Sequence, residues 1–468
     1  MENFNHCKKS YSFTDFLLQL KNFLYTKSYI AVIALICAFS YVSGLNLGCL
    51  FFLVIIGSII IACSKDMSPV APILFFIAFA VSNRDIFSNP LVFLIFAPAI
   101  VALIVRFIRF PIKKFSLGAL TIPLILMLSA FILGGVRTEN YSWFFENRPS
   151  GAFGEYIAIV VGLGVGMLFE YLMLRHGFSG EDTPKHYNPK EYIAYILVLA
   201  GILVGIELLF EKYIVNDGAL YMGWGNTNLV GCVLLLSIPA CWYMLVKSKN
   251  IYKVIANSIL LALLYGFTLM TGSDGCFGVV LVFSAAIAVF TYFKIKKKYR
   301  TAYANAILTV ALAIVLTALL LLIFNPERFN ELINKLFSDT GRSLLYELAF
   351  EEFKIDKLFG VGLFHPFIAE PLGQLNYHSS FIHILATTGI YGLICFVIYT
   401  VARIMVVAKK NTTFNFYMLI SFISYEAYAS IDTGEFVMVM ILVVGLIAFV
   451  EHINKLPTKE KLPLAKII

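Results

Sequence analysis

Arg342 and His378 are the side chains in this chain best placed to do chemistry. Arg342 follows the helix-breaking run Asp339-Thr340-Gly341 and opens a stretch in which Leu345, Leu348, Ala349 and Phe353 recur at helical spacing. A residue at a helix start stands beside backbone N–H groups that lack internal partners, at the positive end of the macrodipole. A guanidinium there adds a planar fork of donors, and the combination suits a phosphate or diphosphate. The alternative is an arginine paired with Glu347 or Glu351, or one touching lipid headgroups. His378 opens the next apolar segment. A free imidazole titrates near a pH of about 6.5, so it can take a proton from a hydroxyl near neutrality. The alternative is a hydrogen-bonded histidine at a membrane interface. His383 lies five positions further on, points to another part of the helix, and is read as structural.

Glu426 and Glu207 both fall inside apolar segments. An ionisable group at membrane depth is costly, and it faces the bundle interior or a wet cavity unless it pairs locally or snorkels to the interface. Glu426 is therefore a candidate substrate-binding residue. The chain contains no Asp-x-Asp, so the metal–diphosphate clamp used by many sugar transferases has no obvious ligands. We expect no metal site and no cofactor. The eight cysteines show no Cys-x-x-Cys and read as small apolar residues rather than as a disulfide or zinc framework.

The elements that must position these residues are membrane helices. With 60% hydrophobic and 14% charged residues, the composition is that of an integral membrane protein. The apolar runs are continuous rather than alternating with period two, which excludes a β-barrel reading. They predict an all-α polytopic bundle of about 14 transmembrane helices, each able to cross roughly 30 Å of hydrocarbon. The spans are 29–43, 47–63, 69–82, 91–108, 117–134, 151–174, 192–210, 229–246, 253–271, 276–293, 303–324, 378–402, 414–430 and 436–452. The whole chain, 1–468, reads as a single membrane domain with a polar N-terminal segment at 1–28. Placing alternate loops in the cytoplasm collects most of the 36 Lys and Arg residues there, with anchors at Arg106, Arg109, Lys113 and Lys114 and in the run Lys294–Arg300. Both termini are then cytoplasmic, and a large loop at 325–377 faces outward. The net charge of +8 is explained by this topology and by anionic headgroups, so nucleic acid is not an expected partner. Within the loop, Asn325-Pro326 predicts one short amphipathic helix and Arg342 a second; Gly360 and Gly362 then turn the chain.

Arg342 near a helix start, Gly360-Val361-Gly362, His378-Ser379-Ser380-Phe381 and Gly389-Ile390-Tyr391-Gly392 together resemble the signature region of the O-antigen ligase and polysaccharide polymerase family. Gly225-Asn226-Thr227-Asn228 and Thr271-Gly272-Ser273-Asp274-Gly275 fall where that family has short outward motifs, so the resemblance covers roughly residues 190–400. It implies a GT-C-like membrane glycosyltransferase that moves a glycan from undecaprenyl diphosphate to an acceptor hydroxyl on the outer side of the bacterial plasma membrane. The acceptor is a glycan or a lipid-linked glycan, and membrane lipids surround the catalyst. The family's essential Arg and His map onto Arg342 and His378, with Gly360, Gly362, Asn226 and Asn228 as further substrate-binding positions. The family often has Ser-Arg where this chain has Ser273-Asp274, and usually His-Asn where it has His378-Ser379. Asp274 is expected to cap the following helix.

Helix-rich lipid-linked oligosaccharide flippases share this layout and are the alternative class. A flippase should show two similar halves and cations along a central cavity. This chain has one long off-centre loop, and the in-membrane charges singled out above are acidic.

Overall fold

A segment surrounded by hydrocarbon must satisfy each backbone N–H and C=O internally, and a continuous apolar run does so as a helix. The computed structural model describes residues 13–80, 94–111, 117–137, 152–176, 183–184, 187–215, 227–248, 250–298, 327, 342–363, 377–431 and 439–456. Among these residues there are helices and no strand. The helices are α1 (Phe13–Phe23), α2 (Lys27–Ser43), α3 (Asn46–Cys63), α4 (Ala71–Phe76), α5 (Ala97–Arg109), α6 (Thr121–Val136), α7 (Ala152–His176), α8 (Pro189–Phe210), α9 (Thr227–Lys247), α10 (Ile251–Met270), α11 (Asp274–Lys298), α12 (Arg342–Ile355), α13 (Ser380–Ala408), α14 (Thr413–Ala429) and α15 (Val439–Lys455).

Six of the described helices are long and apolar enough to cross a membrane, or seven if α1 and α2, bent by 75° at their junction, count as one span. This is a polytopic membrane architecture. The expected spans 117–134 and 414–430 are helices of 16 and 17 residues, α6 and α14, and the described part of 436–452 lies in α15. Residues 69–82, expected as one span, are built differently in their described part. A 3-10 turn at Ser68–Val70, the six-residue α4 and a second 3-10 turn at Ile77–Ala80 replace a continuous helix. Pro69 and Pro72, each near the start of one of these pieces, supply no backbone N–H, which favours restarting the helix over extending it. The expected span 303–324 and the helix start at Asn325 lie outside the described residues.

α9 is the centre of the bundle, buried along its whole apolar length. Pro239 interrupts its ladder, leaving the Leu235 carbonyl without an N–H four residues on. Hydroxyls of α14 lie against this point: Ser421 donates to the Leu236 carbonyl at 3.0 Å, and Ser424 lies 3.4 Å from the freed Leu235 carbonyl and 3.0 Å from the Ser421 carbonyl of its own helix. Arg106, expected as a topological anchor, is fully buried. Its guanidinium donates to the carbonyls of Ile61, Ser64 and Lys65 at 3.0, 2.6 and 2.7 Å, a cation closing the carboxyl end of α3. The seven described cysteines are free thiols.

Candidate functional site

Arg342 is the first residue of α12, half-exposed at the helix's amino end. The inner face of α12 is Leu345, Ala349 and Glu352, spaced as one helical stripe, and all three are buried. Leu345 and Ala349 pack with Tyr377 and Ala386, with Tyr346 and Ile382 at the edge. Leu348 and Phe353, expected on the apolar side, are only half-buried, whereas the carboxylate Glu352 takes a buried position. Glu351, one alternative partner for Arg342, pairs with Lys354.

Two bonds tie α12 to the segment carrying His378. The Tyr377 hydroxyl donates to Glu352 Oε2 at 2.5 Å, and the Tyr346 hydroxyl donates to the His378 carbonyl at 3.4 Å. Arg342 and Tyr346 are four residues apart, so they share a helix face about one turn apart. Arg342 therefore lies roughly one turn of α12 from the point where that helix grips His378. Burial and the Glu352 charge push the Tyr377 hydroxyl well above its usual range, so it remains a donor.

His378 has φ +48° and is the one non-glycine among the described residues with a positive φ. That conformation costs roughly 1–3 kcal/mol and is a recurrent feature of functional sites. Ser379 follows as the amino cap of α13, its hydroxyl accepting from the Ile382 N–H. His383 is buried, its ring 5.6 Å from that of Tyr377.

Gly360 and Gly362 lie in a loop that plugs a gap in α13. Gly389, inside that helix, has φ +67° and ψ −164°, a conformation open essentially to glycine alone. The break separates Ile390 and Tyr391 N–H from Ala386 and Thr387 C=O, which a continuous helix would pair. The loop takes all four groups. Val361 and Gly362 N–H donate to the Ala386 and Thr387 carbonyls at 3.2 and 2.9 Å; Ile390 and Tyr391 N–H donate to the Lys357 and Leu358 carbonyls at 2.9 and 3.1 Å. Backbone meets backbone here: a Cβ on Gly360 would lie 2.4 Å from the Thr387 carbonyl carbon, and one on Gly389 2.5 Å from that of Leu358. The plug is anchored to α6 by Leu363 N–H donating to the Gly134 carbonyl at 3.0 Å and by the Arg137–Asp356 ion pair. Gly389→Ala is accordingly expected to cost more than about 3 kcal/mol, backbone strain plus clash. Thermal unfolding in detergent would read this as a large fall in midpoint, and an unchanged midpoint would contradict the interlock.

Of the remaining sequence candidates, Glu426 and Glu207 lie within the bundle. Glu426, on α14, forms an ion pair with Arg403 at 2.8 Å, their side chains 10% and 0% exposed. The Arg403 guanidinium lies 3.9 Å from the Tyr399 ring centroid. Arg403 is roughly 20 Å along α13 beyond the Gly389 break, so the structure does not bring Glu426 to Arg342 and His378. Glu207 is 1% exposed on α8, and neither carboxylate oxygen has a hydrogen-bond partner. Asn226 lies outside the described residues, and Asn228 is half-buried on the first turn of α9. The cap of α11 is Ser273 and not Asp274: the Ser273 hydroxyl accepts from Cys276 N–H at 3.4 Å, and Asp274 is the first helical residue. Serine reaches the third helical N–H from the cap position, which Asp274 does not occupy. Ser273 also shares a 2.8 Å hydrogen bond with the Tyr428 hydroxyl. Arg137, a cation near the loop, sits at the far end of α12, roughly 20 Å from Arg342.

Sequence reasoning missed Tyr346, Glu352, Tyr377 and the Gly389 break. A carboxylate three positions after Ala349, on the same stripe, was the available signal for Glu352.

A family model described as O-Antigen ligase matches residues 259–397. The matched stretch contains Arg342, Gly360, Gly362, His378 and Gly389 and leaves out Asn226, Asn228 and Glu426. It bears out the resemblance seen in the sequence. No individual curated protein matches the chain.

Proposed function

Because the chain carries an O-antigen ligase region, with the general activity of a membrane glycosyltransferase, we propose that it moves a glycan from undecaprenyl diphosphate to an acceptor hydroxyl. The reaction takes place on the outer face of the bacterial plasma membrane, with both chain termini in the cytoplasm. The acceptor is a glycan or lipid-linked glycan, as in ligation or polymerisation. Arg342, at the positive end of the α12 macrodipole, receives the diphosphate, whose charge grows as the anomeric C–O bond breaks. The acceptor oxygen forms the new bond to the anomeric carbon from the opposite face, the configuration inverts, and His378 takes the hydroxyl proton. The electron pair of the broken bond leaves with undecaprenyl diphosphate. No metal enters this scheme. Gly360 and Gly362 serve by locking the loop that follows α12; Asn226 and Asn228 are further substrate-binding positions that the family resemblance suggests, and Glu426 is held by Arg403.

The observation that carries this reading is the conformation of His378, a strained histidine clasped through Tyr346 to the helix that begins at Arg342. An imidazole with a purely packing role gains nothing from backbone strain. The test is purified protein in lipid vesicles, supplied with a polyprenyl-diphosphate glycan and an acceptor glycan. A new glycosidic bond and released polyprenyl diphosphate are expected, with activity only when substrates reach the face bearing residues 342–363. Transbilayer movement of donor without bond formation would make the protein a flippase and remove the catalytic assignment.

A further inference from the structure

We propose that Glu352 and Tyr377 are a positioning pair for His378, their buried hydrogen bond holding its left-handed backbone so that the imidazole meets the acceptor hydroxyl. The inference rests on the reading of His378 as the base. A non-glycine residue stays in this region of backbone space only where its surroundings over-determine it. Here the residues on both sides of His378 are held. Before it, the Tyr377 side chain is buried and bonded to Glu352 at 2.5 Å. After it, the His378 carbonyl accepts from Tyr346, and the Ser379 carbonyl accepts from His383 N–H at 2.9 Å. Of these ties, the Tyr377–Glu352 bond is the side-chain link on the amino side, and both of its members are buried. Burying a carboxylate on the stripe shared with Leu345 and Ala349 is more costly than burying leucine there. Its presence is explained by the bond it makes. The high Tyr377 titration, set by burial and by the neighbouring charge, keeps the hydroxyl a donor at every pH at which a histidine changes state.

The experiment compares Tyr377→Phe and Glu352→Gln with the parent in lipid vesicles, using protein whose folded fraction is fixed by gel filtration and melting. Phe keeps the ring and Gln keeps an acceptor oxygen, so each variant removes or weakens the bond with little change of shape. Misplacing a reacting group by about 1 Å costs up to roughly 100-fold in rate. We expect kcat to fall about 10-fold or more for Tyr377→Phe, with acceptor KM and donor affinity within about twofold of the parent. The double variant should be no worse than the weaker single, because both changes break one bond. In a His378→Ala background, Tyr377→Phe should add no further loss. A folded Tyr377→Phe protein with parental kcat overturns the inference, as does a loss confined to KM or one that multiplies with that of His378→Ala. If Glu352→Gln fails to fold, Tyr377→Phe alone decides. A His378→Ala protein with full turnover removes the base reading and this inference with it. An inactive His378→Ala beside an active Tyr377→Phe removes the inference alone.

Discussion

His378→Ala is expected to lower turnover by roughly a hundredfold or more, with donor binding retained, since a general base contributes about 10²–10⁴ to rate. A general base accepts a proton only in its neutral form, so the parent rate is expected to fall on acidification. The sign follows from protonation alone: the protonated ring has no lone pair to accept the hydroxyl proton. The alanine variant loses that acid-side dependence along with its activity. A companion substitution separates catalysis from folding. The φ of +48° at position 378 strains alanine as it strains histidine, whereas glycine adopts it freely. His378→Gly is therefore expected to be more stable than His378→Ala by about 1 kcal/mol, yet equally inactive. Product formation in vesicles and thermal midpoints measure the two effects. Full turnover in the alanine variant would move the base to another group.

Arg342→Lys is expected to fail almost as badly as Arg342→Ala, each losing on the order of a hundredfold in turnover, the scale of removing a preorganised donor. Lysine retains the charge but presents a single ammonium where a diphosphate takes the planar two-pronged fork. The helix macrodipole is the same in both variants, so the difference measured is that of the guanidinium. An arginine serving only headgroups would tolerate lysine, because a point charge suffices there. Near-parental product from the lysine variant, at equal protein level, would therefore remove the diphosphate role from Arg342. Neither substitution touches the buried stripe of Leu345, Ala349 and Glu352, so both proteins are expected to fold.

Helix class, apolar spans and the two candidate groups were legible in the order of residues. Continuous apolar runs admit one backbone solution in hydrocarbon, and the break before Arg342 together with the Leu345–Ala349 spacing is enough to start α12. The resemblance over the ligase segment was legible for a similar reason: Arg342, the glycine pair, His378 and Gly389 keep their order and spacing whatever the helices do around them. Span boundaries were less so. At 69–82 the apolar run was clear, but the prolines at 69 and 72 divided it into short pieces.

What the linear order could not contain is which polar group faces which. Glu426 read as a possible ligand because cost at membrane depth is a local property, while its partner Arg403, on the preceding helix, is assigned only by how α13 packs on α14. Gly360 read as a turn glycine, and Gly389 only as part of a motif inside an apolar span. Only packing shows that one exists to let the other's backbone pass, through bonds between residues 25 and 33 positions apart. The sequence by itself determined a membrane helical bundle, the position of Arg342 at a helix start, and a histidine at the mouth of the next apolar segment. The tertiary structure decided that Tyr346, Glu352 and Tyr377 join them, because a hydroxyl or a carboxylate acquires its role from the group that burial places opposite it.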